Sequence, residues 1–117
     1  MKRLGHLVGM SVDQGALAKY QQALEELRAV VVSLQQYRAR LAEVERIIKE
    51  LEKLQDDYVY KSYGSILFKA PKDEVLRELS SEKELLQVRV EEFSKREKLL
   101  RERLSSLEKQ LRGAQVA

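Results

Sequence analysis

Cysteine, tryptophan and asparagine are absent from this chain of 117 residues, which contains a single proline and a single histidine. Without cysteine, neither a disulfide framework nor a thiolate metal site can form. His6 has no second histidine with which to share a metal, so we expect no metal site, no cofactor and no catalytic residue. The sequence has no apolar run long enough to span a bilayer or to act as a signal peptide. We therefore expect a cytoplasmic, non-membrane protein that is not an enzyme.

Aromatic residues are also scarce, at 6% of the chain, whereas charged residues reach 35%. Leucine recurs among Glu, Lys and Arg, which is the composition of a long helix or a coiled coil rather than of a compact core. The 22 basic residues exceed the 19 acidic ones by only three, and the two signs alternate along the chain. Such mixing predicts a solvated surface with ion pairs rather than a nucleic-acid footprint.

The first half of the chain carries an apolar stripe at steps of three and four residues, which predicts an amphipathic helix over residues 12–55. The stripe comprises Leu17, Tyr20, Leu24, Leu27, Val31, Leu34, Tyr37, Leu41, Val44, Ile48 and Leu51. Two successive three-residue steps, Val31–Leu34–Tyr37, predict a local break that overwinds the coil. Ser11 and Gln14 fit a capping box at the start of this helix.

A second helix is predicted over residues 71–112, because an apolar row and a mostly apolar partner row repeat every seven residues there. The rows comprise Leu79, Leu86, Phe93, Leu100 and Leu107, and Leu76, Lys83, Val90, Glu97, Leu104 and Leu111. Pro71 suits the first helical position, with Asp73 and Glu74 in the first turn. Gly113 is placed to cap the C-terminus.

The two stripes match each other when the chain folds back on itself. Leu51 then faces Leu76 beside the bend, and every later layer follows in step to Leu17 opposite Leu111. The two mixed layers are Val44 with Lys83 and Val31 with Glu97. Long Lys and Glu stems can lie along such an interface with their charges in water, and these layers can help to fix the register. The predicted fold is mainly α, an antiparallel two-helix coiled coil with one β-hairpin at the bend.

The bend, residues 56–70, has the composition of a β-hairpin. Two β-prone segments, residues 58–61 and 66–69, flank the turn signal Ser62-Tyr-Gly-Ser65. A Tyr63-Gly64 loop would pair Lys61 with Ile66, Tyr60 with Leu67, Val59 with Phe68 and Tyr58 with Lys69. One face would then carry Val59, Ile66 and Phe68, and the other Tyr58, Tyr60 and Leu67.

Neither face of this predicted hairpin is polar, both of its edges are open, and we expect nothing in its own chain to pack against it. Isolated two-stranded hairpins are marginal in water, and unpaired edges invite further strands. We therefore expect other chains to complete the structure, which makes the protein an oligomer joined through its hairpins. The predicted oligomerisation residues are Tyr58, Val59, Tyr60, Gly64, Ile66, Leu67 and Phe68. The alternative is a lightly packed loop that caps a monomeric coil.

The bend also carries the pattern Tyr60-Lys61-x-x-Gly64-x-x-x-x-Lys69 between two long heptad helices. With Tyr20-Gln-Gln22 and Leu54-x-Asp-Asp57, this pattern resembles the β-type subunit of prefoldin, a hexameric, ATP-independent chaperone. The resemblance covers roughly residues 17–111. The bend has room for one hairpin, as in the β-type, whereas the α-type carries two.

The resemblance implies a single prefoldin-like domain over residues 1–117, with an N-terminal tip of residues 1–11 and a C-terminal tail of residues 113–117. It implies a hetero-hexamer of two α-type and four β-type subunits, whose hairpins assemble into an oligomeric β-barrel base. It further implies that the free coil tips hold unfolded client proteins and deliver them to a group II chaperonin.

The tip residues follow from where both chain ends meet in the predicted coil. The predicted client-binding residues are Leu4, Leu7, Val8, Met10, Val12, Leu17, Leu107, Leu111 and Val116. Exposed apolar clusters usually mark binding sites, and flexible Leu and Met side chains suit varied clients. The alternative is that Leu17, Leu107 and Leu111 form only the last layers of the coil and that the N-terminal segment is a tail.

Two other functions remain open at this point. A coiled-coil adaptor without chaperone activity would share the helices and the hairpin. A nucleic-acid-associated coil would use the basic stretch Lys95-Arg96-x-Lys98 with Arg101 and Arg103. Because Glu97 and Glu102 interrupt that stretch and phosphate binding needs many unopposed cations, we expect no nucleic-acid partner.

Overall fold

The computed structural model describes residues 13–116, and their side chains over residues 13–113. Helix α1 spans Gln14–Lys53, strand β1 Tyr58–Tyr63, strand β2 Ile66–Pro71 and helix α2 Lys72–Val116. The two strands pair antiparallel as a two-stranded hairpin between the helices. This order of elements confirms the predicted mainly α fold with one hairpin at the bend.

Asp13 forms the N-cap of α1. Its Oδ1 accepts hydrogen bonds from the backbone N–H groups of Gly15, at 2.9 Å, and Ala16, at 3.3 Å. First-turn N–H groups have no partner inside a helix, so a side-chain acceptor at this position stabilises the helix start. The predicted capping residue Ser11 lies outside the described residues, and α1 begins two residues later than expected, after Asp13.

The inner face of α1 follows one unbroken heptad. It comprises Ala16, Tyr20, Ala23, Leu27, Val30, Leu34, Tyr37, Leu41, Val44, Ile48 and Leu51, all buried or half-buried. Its steps alternate four and three residues throughout, so the predicted break and overwinding near Leu34 are wrong. The small residues Ala16 and Ala23 are buried, whereas the adjacent leucines that the sequence placed in the stripe are only half-buried.

Lys72 ties the end of α1 to the start of α2. Its backbone N–H donates to the carbonyl of Asp57 at 2.8 Å, and its Nζ donates to the carbonyl of Leu54 at 2.6 Å. The prediction that Pro71 opens α2 is wrong by one residue, because Pro71 is the last residue of β2. It lies at the end of a strand, where the missing N–H of proline is tolerated.

Helix α2 continues past Gly113 to Val116, so the predicted glycine cap is wrong. A glycine C-cap normally adopts positive φ, and within residues 13–116 only Gly64 does so. Gly113 is therefore a residue inside the helix. The first turn of α2 does hold Asp73 and Glu74, as predicted.

The chain divides into two compact units, each containing part of both helices. Over the described residues, the first unit consists of residues 13–33 and 93–116, and the second of residues 34–92. The core of the first unit is a cluster of Ala23, Leu27, Val30, Leu100 and Leu107, with Tyr20, Val31, Phe93 and Leu104 packed against it. Gln110 also donates to Asp13 at 3.4 Å, so the start of α1 lies beside the end of α2.

The second unit contains the hairpin and the helix segments next to it. Its buried apolar residues are Leu34, Val44, Val75 and Leu86. Arg40 of α1 donates through Nε and Nη2 to both carboxylate oxygens of Glu82 on α2, at 2.6 and 2.8 Å. In each unit the two helix segments therefore pair antiparallel, as predicted.

Candidate functional site

The hairpin turns at Gly64-Ser65, not at the predicted Tyr63-Gly64. Tyr63 pairs with Ile66 and Lys61 with Phe68, so every pair is shifted by two residues from the predicted register. Gly64 has a φ of +57°, and no other described residue has positive φ. Positive φ at only the first of two loop residues is typical of a type II′ turn, which favours glycine there. The predicted loop would have placed Tyr63 at that strained position.

The two faces of the hairpin nevertheless have the predicted members, because side chains alternate along a strand and a shift of two residues preserves each face. The Val59 face carries Val59, Lys61, Tyr63, Ile66, Phe68 and Ala70. The Tyr60 face carries Tyr58, Tyr60, Ser62, Leu67, Lys69 and Pro71.

Helix α2 provides part of the support for the Val59 face. Lys61 Nζ donates to Glu78 of α2 at 2.7 Å, and Val59, Lys61 and Ala70 are half-buried. The hydrogen bond to Glu78 is the main cause that raises the pKa of Lys61 above its ordinary value. The expectation that the hairpin has nothing in its own chain to pack against is therefore wrong for the half of this face nearest the helices.

At the turn end of the Val59 face the side chains are exposed. Tyr63 and Phe68 meet edge to face, with ring centroids 5.6 Å apart, and Ile66 lies opposite Tyr63. The predicted oligomerisation residues do not include Tyr63, although it is as exposed as the large side chains among them other than Val59. The type II′ preference of Gly64 was the signal that assigns Tyr63 to the strand.

The Tyr60 face is exposed over its whole length. Tyr60 exposes 70% and Leu67 67% of its surface, and Lys69 Nζ lies 4.7 Å from the centre of the Tyr58 ring. Together, the two faces present six large apolar side chains to solvent on a strand pair of twelve residues. Exposed apolar clusters of this density are typical of protein interaction sites.

The predicted tip residues are only partly within the described chain. Leu4, Leu7, Val8, Met10 and Val12 lie outside the described residues, and the side chain of Val116 is not described. In the first unit, Leu107 is buried in the core cluster, and Leu17 and Leu111 are half-buried. Leu107 therefore packs in the core of this unit, and the role of the tip residues in client binding, Leu107 included, stays a prediction.

Several ionisable groups in the described chain form ion pairs. Within residues 13–116, no three His, Cys, Asp or Glu side chains come together in a way that could hold a metal ion. The hydrogen bond from Arg40 lowers the pKa of Glu82 and raises that of Arg40. Neither helix, over its described residues, contains a stretch apolar enough to cross a membrane.

Comparisons with known proteins agree on one family. The chain matches the family described as prefoldin subunit over residues 14–117. It is 43% identical over 94 residues to the prefoldin subunit beta of Pyrobaculum calidifontis, covering 80% of this chain and 75% of that protein. The prefoldin subunit beta of Archaeoglobus fulgidus is 35% identical over 101 residues, 86% of this chain and 87% of that protein.

A solved structure gives the same result. The crystal structure of the prefoldin beta subunit from Thermococcus strain KS-1 superposes with a TM-score of 0.76 and 31% sequence identity. The match covers 90% of this chain and 96% of the other. Both helices and the hairpin therefore have counterparts in a solved relative.

Proposed function

Because the chain belongs to the prefoldin family and is of the β-type, we propose that it is a subunit of a hexameric, ATP-independent chaperone. Subunits of this family are chaperone components and not enzymes, and they assemble with other prefoldin subunits. In our proposal two α-type and four β-type subunits join in the cytoplasm. The whole chain, residues 1–117, acts as one prefoldin-like domain within that hexamer.

The observation that carries the proposal is the exposure of apolar side chains on both faces of the hairpin. A two-stranded sheet that exposes residues such as Tyr60, Leu67 and Phe68 leaves apolar area in water and backbone groups unpaired at its edges. Hairpins of other subunits would cover this apolar area and pair these backbone groups by extending the sheet into a β-barrel. The interface residues in this proposal are Tyr58, Val59, Tyr60, Tyr63, Gly64, Ile66, Leu67 and Phe68.

The client site in this proposal is formed by the apolar residues at the chain ends. Unfolded proteins expose apolar segments, which flexible Leu, Val and Met side chains can cover without a fixed shape. Client capture there would precede delivery to a group II chaperonin. The residues are Leu4, Leu7, Val8, Met10, Val12, Leu17, Leu107, Leu111 and Val116.

A light-scattering assay tests this function against the alternative of a structural adaptor. The hexamer, assembled with an α-type partner, is mixed with a chemically denatured protein that aggregates on dilution. We expect the intact hexamer to suppress this aggregation. Deleting residues 1–12 should weaken the suppression of aggregation. The native mass should show that the hexamer stays assembled, because it should decrease only by the mass of the deleted segments. If the intact hexamer does not suppress aggregation, the adaptor is the better description.

A further inference from the structure

A shallow groove on the first unit has no role in hairpin assembly. Its lining consists of Arg96, Leu99, Leu100 and Arg103 of α2 and Glu26 of α1, and we call it the arginine groove. Leu99 exposes 64% of its surface. A single exposed leucine is common on protein surfaces, so its exposure alone indicates no function. The groove therefore combines an accessible apolar side chain with cations on either side of it.

The spacing places both arginines on one face of α2. Arg96 and Arg103 are seven residues apart, or two helical turns, and Leu99 lies between them at three and four residues. At a rise of 1.5 Å per residue the two Cα atoms are about 10 Å apart along the helix axis. A partner helix with carboxylates seven residues apart and an apolar side chain between them has the same spacing.

The two arginines are available for a partner. Within the described residues, neither Arg96 nor Arg103 makes an ion pair, whereas Arg101 binds Glu97 and Arg112 binds Glu108, both at 2.8 Å. The Arg96 guanidinium lies 5.5 Å from the centre of the Phe93 ring, and this contact restrains it beside the groove. Arginine that is already positioned loses less freedom when it binds a carboxylate.

The charge of the surrounding helix favours an acidic partner. Residues 93–116 contain seven basic and three acidic side chains, and two of the three acidic ones are in the ion pairs just named. Glu26 is the one acidic side chain in the groove lining. Attraction between a surface of one sign and a partner of the other gives specificity and speeds association.

We propose that the arginine groove binds an acidic amphipathic helix, with its apolar side chain on Leu99 and Leu100 and its carboxylates on Arg96 and Arg103. Helix-in-groove recognition of this kind uses residues at steps of three, four and seven. An apolar centre flanked by two cations suits a protein helix better than a nucleic acid, whose phosphates would meet Glu26. The proposal does not depend on the chaperone activity, since it concerns a separate surface.

Fluorescence anisotropy with the intact protein tests it. The probe is a fluorescein-labelled peptide of three Glu-Ala-Ala-Leu-Gln-Ala-Ala repeats, and the comparison peptide has Gln in place of each Glu. We expect the acidic peptide to bind more tightly than the neutral one and to lose affinity in high salt. The double variant Arg96→Gln, Arg103→Gln should bind the acidic peptide about five- to tenfold more weakly. Glu26→Gln should bind it more tightly, by about twofold.

Lys98→Gln is the matched control, because Lys98 is an exposed cation one residue from Leu99 that does not line the groove. Its affinity should stay within about twofold of the unmodified chain. Equal affinity for both peptides, or an equal loss in Lys98→Gln and in the double arginine variant, would overturn the proposal. Displacement of the peptide by an oligothymidylate that itself binds more tightly would also overturn it, in favour of a nucleic-acid surface.

Discussion

At the scale of single residues, Gly64 sets the register of the hairpin. Its φ of +57° is a conformation that L side chains adopt at a cost of about 1 kcal/mol, so alanine is expected to destabilise the chain by that amount. A Cβ at Gly64 would meet no atom within 4 Å, so backbone strain is the whole effect. Thermal unfolding followed by circular dichroism measures it.

Gly113→Ala provides the control for that prediction. Gly113 lies inside α2 and a Cβ there would also meet no atom within 4 Å, but its φ is not positive. Alanine should therefore stabilise the helix, by roughly 0.5–1 kcal/mol. Opposite shifts of the melting temperature are expected, and a rise in both variants would contradict the role given to Gly64.

The Arg40–Glu82 pair predicts a dependence of stability on pH. The hydrogen bond from Arg40 lowers the pKa of Glu82 in the folded state, so the unfolded chain binds a proton more readily. The stabilisation is therefore present at neutral pH and is lost as the pH falls from the ordinary glutamate value through the lowered one. Both side chains are about a third or more exposed, which limits the effect to about 0.5 kcal/mol.

Glu82→Gln should thus lower the free energy of unfolding at pH 7. It should also reduce the amount by which that free energy decreases toward low pH. Urea unfolding at a series of pH values measures both effects. Glu84→Gln is the control, because Glu84 is exposed and makes no ion pair within the described residues. Parallel curves for Glu82→Gln and the unmodified chain would show that the pair contributes nothing.

At the scale of elements, the corrected stripe of α1 gives a matched pair of substitutions. Val30 is 4% exposed and Val32 is 52% exposed on the same helix. Val30→Ala removes two buried methyl groups and should cost about 1.5 kcal/mol, whereas Val32→Ala should change the free energy of unfolding very little. Urea unfolding of the two variants compares them directly. Equal costs would mean that the stripe does not run through Val30.

The errors of the sequence-based prediction at this scale have physical causes. Periodicity predicted both helices, because apolar residues that recur at helical spacing mark the face that packs against a partner. It also predicted their antiparallel pairing, because the two apolar rows match each other when the chain folds back. It does not indicate Ala16 and Ala23, because a leucine follows each of them and hydrophobicity favours the larger side chain as the buried one. Both hairpin faces were predicted correctly from a wrong register, since alternation is insensitive to a shift of two residues.

Other features could not be predicted from the sequence. The contact between Lys61 and Glu78 joins residues in different elements, and no pattern within either element indicates it. The same holds for the bond from Lys72 to the carbonyl of Leu54. Contacts of this kind depend on how the hairpin is placed on the helices, which tertiary packing decides.

At the scale of the whole molecule, assembly through the hairpin predicts that a charge at an exposed apolar position of the hairpin disrupts the complex, whereas a charge at a similarly accessible position on a helix does not. Leu67 on the Tyr60 face and Leu85 on α2 are both more than half exposed. Leu67→Asp should lower the native mass of the complex to that of smaller species, because burying an unpaired charge in an interface is costly. Leu85→Asp should leave the mass unchanged.

Native mass spectrometry separates the two variants, and circular dichroism checks that both keep their helices. Retention of the full complex by Leu67→Asp would argue against assembly through that face. Loss of the complex in both variants would mean that the interface extends along α2.

The small residues at the inner positions of α1 also predict where the paired helices open most readily. Ala16 and Ala23 each remove far less apolar surface from water than a leucine would, so their layers are held together more weakly than those of Leu34 and Val44. Local opening should therefore occur more often in residues 14–33 than in residues 34–53. Amide hydrogen exchange should be faster in the former range, and equal protection along α1 would contradict this. Such a gradient would let the part of the coil nearest the chain ends separate transiently while the part beside the hairpin stays closed.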